Sequence, residues 1–432
     1  MQQKQTNNQL ALAVITALFF MWGFLTSLND ILIPHLKAVF ELNYTQSMLI
    51  QFTFFSAYFI MSMPSGKIVS SFGFKRGIII GLVVSGIGAL MFYPAAALPS
   101  YGLFLTALFV LASGITLLQV AANPYVAALG NPDTSSSRLN LAQAFNSLGT
   151  TIAPYLGGLL ILAIAVKGAD QLAAMEPSAL AAYKTAEAQS VQMPYIGLAA
   201  ILFLLAGVIS WFNLPKISNE EDGDHGTFMG ALKVRHLRLG VVGIFVYVGA
   251  EVAIGSFLVS YMSQDFIAGF SEAQAAKYVS YYWGGAMIGR FIGSALMQKI
   301  DAGKLLGIFS IVAALLVGTS ILTTGHIAMW AILSVGLFNS IMFPTIFTLG
   351  IKKMGRLTGR ASSLLVMAIV GGALIPVLQG VLADNIGIHL AFFLPLLCYL
   401  YIAYYGFAGS RISTDDDLPA QVSDTELSPA EA

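Results

Sequence analysis

The sequence of 432 residues is 57% hydrophobic and only 10% charged, and its 21 basic and 21 acidic residues leave no net charge. Soluble globular domains carry about 25% charged residues, so this composition excludes an ordinary soluble protein and indicates that lipid is the solvent for much of the surface. The zero net charge gives no indication of a nucleic-acid partner. The single cysteine, Cys398, excludes a disulfide framework and a cysteine-based zinc site.

Apolar runs long enough to cross about 30 Å of hydrocarbon recur along the whole chain. The first follows a short polar N-terminus and is too long for the apolar core of a removable signal peptide, so we interpret it as a membrane helix. The runs predict an all-α membrane protein with twelve transmembrane helices, over residues 10–36, 45–70, 76–97, 101–129, 138–166, 193–214, 239–266, 273–299, 304–324, 327–352, 361–384 and 387–408.

A charged segment separates the first six predicted helices from the last six. We therefore predict an N-terminal half over residues 1–214, a cytoplasmic linker over 215–238, a C-terminal half over 239–410 and a disordered tail over 411–432. The halves also repeat each other, because matching residues follow in the same order at offsets of 220 to 223: Pro124 with Pro344, Arg138 with Arg360, and Gly66-Lys67 with Gly289-Arg290. Several matches at nearly one offset indicate two related six-helix halves.

The basic residues orient the predicted helices in the membrane. With the N-terminus inside, only four of the 21 basic residues fall outside, namely Lys37, Lys167, Lys184 and Lys277. So skewed a distribution is what the positive-inside rule requires, and it predicts that both termini are cytoplasmic. This count places Arg138, Arg290 and Arg360 at cytoplasmic helix ends, where we expect gate or interface salt bridges.

Polar side chains inside the predicted helices are costly in lipid and mark candidate pathway residues. Asp30 ends the first apolar run, where a carboxylate needs a cation, a proton or hydrogen-bond donors; the alternative is an aspartate wetted by the outer interface. Thr116, Gln119 and Asn123 share one face of the fourth helix. For these three, helix–helix hydrogen bonding is the alternative to a pathway role.

A second group of polar residues suits a sugar. Amides both donate and accept, and an aromatic ring can cover the apolar face of a pyranose. The candidate substrate-binding residues come from the fifth, seventh, eighth and tenth helices: Gln143, Asn146, Tyr247, Glu251, Trp283 and Asn339. The sequence has no glycine-rich phosphate loop, no histidines at metal-ligand spacing and no nucleophile–base pair, so we predict neither an enzyme nor a bound cofactor.

Several longer motifs resemble one transporter family. They are Phe19-Phe20-Met21-Trp22-Gly23-Phe24, Leu28-Asn29-Asp30-Ile31-Leu32-Ile33-Pro34, Ala121-Ala122-Asn123-Pro124-Tyr125, the run from Arg138 to Ser147, and Tyr247-Val248-Gly249-Ala250-Glu251. Across eleven helices the chain resembles the fucose:proton symporter family of the major facilitator superfamily. The resemblance implies two pseudo-symmetric six-helix halves and sugar:cation symport by alternating access. It also places the family's first-helix carboxylate on Asp30 and its sugar-binding amides on Gln143 and Asn146.

One departure points to a branch of that family. Gln119 stands where the fucose transporters have a proton-coupling glutamate, and an amide does not titrate. With Glu251, it makes the chain look more like the glucose/galactose branch, whose members can be sodium-coupled. We therefore expect a hexose symporter in which Asp30, Gln119, Asn123 and Thr116 serve cation coupling, with sodium held by the first three.

Other readings stay open at this point. A proton could replace sodium, the substrate could be of the fucose type, or the chain could be a membrane sugar sensor that transports nothing. We expect a monomer in the bacterial inner membrane whose partners are a small sugar and lipid.

Overall fold

The computed structural model describes residues 11–27, 44–98, 100–160, 175–176, 178–180, 182–183, 192–212, 214–215 and 227–412. Asp30, most of the linker (216–226) and the tail from residue 413 lie outside these ranges. The described chain is helical throughout, with no β-strand in the residues just given.

The first six helical spans precede the linker. Their bounds are Ala11–Ser27 (α1), residues 44–72 (α2), residues 74–97 (α3), Tyr101–Ala128 (α4), Ser135–Leu160 (α5) and Gln192–Trp211 (α6). Spans α2 and α3 follow each other without a loop over Tyr44–Ala97, and the helix is broken at Gly73. A straight helix of 54 residues would be about 80 Å long, far more than a bilayer. The backbone of Gly73, at φ 81° and ψ 168°, lets the chain turn back, because glycine adopts positive φ at low cost.

Six further spans follow the linker, after a short helix, Phe228–Lys233. Their bounds are Arg235–Met262 (α7), Glu272–Leu296 (α8), Ala302–Leu322 (α9), Gly325–Gly350 (α10), Gly355–Ile386 (α11) and Ile388–Gly409 (α12). Span α10 is interrupted between Asn339 and Met342, and α11 has a 3₁₀ turn at Ala368–Val370. The twelve spans agree with those that the apolar runs predict, but residues 28–36 of the first predicted span and 161–166 of the fifth lie outside the described residues.

Two of the twelve spans are more polar than the rest. Eight described helices, including the one that holds both α2 and α3, are long and apolar enough to cross a membrane, and α1 is a shorter apolar helix. Spans α5 and α8 are each at least 25 residues long, but neither is apolar enough to be counted among these nine helices. They pack on each other across the two groups of six, and several of their polar side chains, including Asn140, Gln143 and Ser294, are buried.

The two groups of helices meet most closely at the end of the bundle that carries the linker, called the linker end below. Spans α2 and α4 pack against α11, and α5 packs against α8 and α10. Serine and threonine hydroxyls cross both seams: Ser136 Oγ to Thr348 Oγ1 at 2.6 Å, Ser137 Oγ to Ser294 O at 2.7 Å, Ser362 Oγ to Val120 O at 2.8 Å, and Ser363 to Ser62 O. These buried contacts seal the linker end.

Arg138 and Arg360 lie within the first turn of helices that begin at Ser135 and Thr358, as expected, whereas Arg290 departs from the expected helix-end position. Arg138 donates to the carbonyls of Val126 and Ala127 and so caps the end of α4. The guanidinium of Arg360 lies 4.6 Å from the Phe228 ring centroid. Arg290 is instead mostly buried, with 14% of its side chain exposed, because it pairs with Glu251 inside the bundle. Its predicted place at a helix end was wrong, because it lies six residues before the end of α8, and its ion pair joins α8 to α7 within the C-terminal group of helices.

Candidate functional site

A cavity of about 430 Å³ lies between the two groups of helices. Its wall comes from α1, α2, α4 and α5 on one side and from α7 and α8 on the other: Trp22, Thr26, Ile50, Gln51, Phe54, Phe55, Tyr58, Leu108, Gln119, Asn146, Val252, Gly255, Ser256 and Trp283. Gln51, near the start of α2 and away from the linker end, is exposed, so the cavity reaches the surface on that side. Its volume is in the range of pockets that hold small molecules.

On the N-terminal side, the polar group at the wall is Gln119. Its Nε2 donates to the hydroxyl of Tyr58 at 2.9 Å, while its Oε1 has no hydrogen-bond partner. One turn further along α4, both polar atoms of the Asn123 side chain are buried without a partner. Unpaired amide atoms in a buried place carry a free-energy cost that a ligand, a cation or a water can relieve.

Close packing of α1 on α5 fixes the position of a second polar side chain, Asn146. A side chain at Gly23 would overlap the backbone carbonyl of Asn146, so only glycine allows this approach. The approach brings Asn146 Nδ2 to the carbonyl of Phe19 at 2.9 Å. Trp22, which is 6% exposed and in ring contact with Phe19, lines the cavity beside it.

On the C-terminal side, Glu251 lies one residue before the wall residue Val252. Its Oε1 accepts a hydrogen bond from the Tyr247 hydroxyl at 2.7 Å and lies 3.8 Å from Arg290 Nη2. Arg290 also donates to the carbonyl of Ser340 at 3.1 Å and to the hydroxyl of Ser147. One guanidinium therefore joins α7, α8 and α10 to α5 across the interface.

Asn339 lies deeper in the C-terminal half. Its Nδ2 donates to the hydroxyls of Tyr282 at 2.7 Å and Tyr399 at 3.4 Å, and all three residues are fully buried. Tyr282 in turn donates to the backbone carbonyl of Glu251 at 3.4 Å. This network lies behind the cavity wall and supports the segment of α7 that carries Glu251.

The sequence-predicted residues therefore separate into three sets. Gln119, Asn146 and Trp283 line the cavity, and Trp283 lies against Gly255, where an added Cβ would be 3.0 Å from the indole. Thr116, Asn123, Gln143, Tyr247, Glu251 and Asn339 are not part of the wall. Thr116 donates to the carbonyl of Ala112 at 2.8 Å, and Gln143 is buried with an unpaired Nε2. Asp30 lies outside the described residues.

Sequence reasoning missed several wall residues. Gln51 and Phe54 on α2 and Ser256 on α7 line the cavity. Gln51 had a signal, because it is an amide near the start of an apolar run. Aromatic residues are too common in membrane helices to single out Phe54. Among the described residues no three His, Cys, Asp or Glu side chains come together as a metal site.

Comparisons with known proteins give four findings. The family model of the Major Facilitator Superfamily matches residues 12–372. The chain is 55% identical to the glucose/galactose transporter of Brucella abortus biovar 1, over 94% of this chain and 96% of that protein. It is 38% identical to the L-fucose-proton symporter of Escherichia coli K12, over 93% of this chain and 94% of that protein. The crystal structure of FucP in the outward conformation is similar, with 36% identity, a TM-score of 0.87, and coverage of 93% of this chain and 98% of that one.

Proposed function

The chain belongs to the Major Facilitator Superfamily of transporters, and from this premise we propose that it is a cation-coupled symporter of a hexose such as glucose or galactose. The observation that carries the proposal is the cavity between the halves, which is sealed at the linker end and open at the other. A site reached from one side at a time is what alternating access requires. The twelve-span fold and the printed names of the relatives support the same class of activity.

The wall chemistry supports a sugar over an ion or a lipid. Trp22 and Trp283 offer aromatic faces, while Gln119, Asn146 and Gln51 offer amides that can donate and accept. Glu251, which is 13% exposed beside the wall, adds a carboxylate acceptor for a hydroxyl. A hexose has an apolar C–H face, which the aromatic rings can cover, and a rim of hydroxyls, which the amides and the carboxylate can bind.

Sodium is our first candidate for the coupled cation. The unpaired Oε1 of Gln119 and Oδ1 of Asn123 are neutral oxygens of the kind that hard cations bind, and Asp30 would supply the charge. Glu251 already has Arg290 as its counter-charge, which supports placing the coupling in the N-terminal half. The second candidate is a proton, favoured by the printed name of the L-fucose-proton symporter. The other relative's name mentions no cation.

Uptake of radiolabelled glucose into proteoliposomes tests the proposal, with an imposed sodium gradient in one set and an imposed pH gradient in the other. Accumulation that requires sodium and ignores pH is the expected result. Accumulation that follows pH and ignores sodium would replace sodium by the proton and move the coupling role to Asp30 or Glu251. Binding of a hexose without accumulation under either gradient would contradict transport and favour a sensor.

The orientation in the membrane is part of the proposal. Lys and Arg placement supports a cytoplasmic linker end with both termini on that side, and the bacterial relatives support an inner-membrane location. The sealed linker end would then face the cytoplasm and the open cavity the periplasm. Sugar and cation bound together would allow the halves to rock, and either alone would not.

A further inference from the structure

The hydrogen bond between Gln119 and Tyr58 has a counterpart in the other half of the molecule. In the N-terminal half Gln119 Nε2 donates to the Tyr58 hydroxyl at 2.9 Å, and in the C-terminal half Asn339 Nδ2 donates to the Tyr282 hydroxyl at 2.7 Å. Gln119 and Asn339 are separated by 220 positions, the same offset that relates Pro124 to Pro344. The tyrosines are one residue off the offset of 223 that relates Gly66 to Gly289. An amide–tyrosine pair thus repeats between α2 and α4 and between α8 and α10.

The two pairs differ in what surrounds them. Asn339 and Tyr282 are fully buried, and Tyr282 passes its own hydrogen on to the carbonyl of Glu251. Tyr58 and Gln119 both line the cavity. Within the part of the chain that the structure describes, the Tyr58 hydroxyl bonds only to Gln119, and Gln119 Oε1 bonds to nothing. Asn339 Oδ1 is unpaired as well, but it is buried away from the cavity, whereas the unpaired Oε1 of Gln119 belongs to a pair that lines it.

In the structure the Tyr58 hydroxyl accepts a hydrogen bond from the nitrogen of the Gln119 amide, and the amide oxygen has no partner. A free glutamine amide can turn over and exchange its oxygen with its nitrogen, which would replace an acceptor by two donors. Because Nε2 is held by Tyr58, Oε1 is the atom left for a ligand. The tyrosine ring is itself fixed, since it is 3% exposed and meets the Phe54 ring edge-on with centroids 5.4 Å apart.

We propose that Tyr58 is a positioning residue that holds Gln119 so that its carbonyl oxygen is offered to the transported cation or to a sugar hydroxyl. The inference rests on the proposed function, because it assigns a partner to a residue of that site. Tyr282, with the same bond in an enclosed place, has only a structural role. The repeat supplies a matched control: the same atom can be removed from both pairs.

The test compares Tyr58→Phe with Tyr282→Phe, alone and, for Tyr58, combined with Gln119→Leu. Two half-saturation concentrations are measured for each protein in proteoliposomes, one for the cation and one for glucose. Glucose binding is also followed through tryptophan fluorescence, since Trp22 and Trp283 line the cavity. Thermal unfolding of the purified proteins checks folding. The fluorescence titration needs no gradient, so it reports on Tyr58 whichever cation drives uptake.

We expect Tyr58→Phe to raise one of the two half-saturation concentrations about five- to tenfold, which is the size of one hydrogen bond to a ligand-binding group. Tyr282→Phe should change both by less than about twofold while lowering the unfolding temperature. In the Gln119→Leu background, Tyr58→Phe should add less than about twofold, because a residue that acts through Gln119 has nothing left to position.

Equal effects of the two tyrosine variants, no change in either concentration, or a full additional effect in the Gln119→Leu background would each overturn the role of Tyr58. These outcomes differ from a failure of the proposed function, in which the wild-type protein itself would neither bind nor accumulate a hexose. A shift in the glucose value alone would support the positioning role and remove Gln119 from the cation site.

Discussion

Replacing Arg290 by methionine would leave the carboxylate of Glu251 without its counter-charge in a mostly buried place. The two groups are 3.8 Å apart, and 14% and 13% of their side chains are exposed. Removing one partner of a buried ion pair costs about 3–5 kcal/mol, because the remaining charge stays desolvated. Glu251 keeps its hydrogen bond from Tyr247, so we expect the lower end, about 3 kcal/mol. Arg290→Met also removes the contact with Ser147 across the halves.

The assay is thermal unfolding in detergent, followed by glucose uptake. For a chain of this length a loss of about 3 kcal/mol corresponds to a fall of roughly 3–6 °C in the unfolding temperature. Glu251→Gln leaves the Arg290 charge unpaired and should also destabilise the protein, although a glutamine can still accept from Tyr247, and it should weaken glucose binding. The double variant Arg290→Met, Glu251→Gln should be more stable than Arg290→Met alone, because it leaves no unpaired charge. If Arg290→Met is as stable as wild type, or if the stability losses of the two single variants simply add in the double variant, the ion pair does not stabilise the protein as its 3.8 Å distance implies.

Three further predictions concern other parts of the molecule. Asp30→Asn should abolish gradient-driven accumulation while the protein still binds glucose in the fluorescence titration; full accumulation would remove Asp30 from the coupling role. Gln143→Ala should weaken sugar binding several-fold with a small loss of stability, because it removes polar atoms and little core volume; a large fall in unfolding temperature with unchanged affinity would make Gln143 a packing residue. Gly66→Val should open the linker end, since even a Cβ there would lie 2.7 Å from that of Ser363. The readout is labelling of a Thr348→Cys variant in a Cys398→Ala background by a membrane-impermeant thiol reagent, with the otherwise identical Gly66 protein as control, and equal labelling of the two would contradict the prediction.

The sequence alone determined the membrane class, the twelve spans and the repeated halves. These features depend on the length and apolarity of each segment, which a bilayer selects one helix at a time. Even the break at Gly73 leaves the predicted spans 45–70 and 76–97 in place, because polar residues separate the two apolar runs. The resemblance to the fucose:proton symporter family was likewise confirmed by the relatives, since whole motifs carry it.

The tertiary structure decided which polar residues reach the cavity. Gln119 and Asn339 are equivalent in the repeat, and each is an amide in the middle of an apolar helix, yet only Gln119 lines the wall. Arg290 reads as a helix-end charge in the sequence, but it lies against Glu251 and Ser147. The physical reason is that helix period fixes which residues share a face, while the packing of neighbouring helices fixes what that face meets. Two halves built from one repeat can therefore place one amide at the cavity wall and enclose the other.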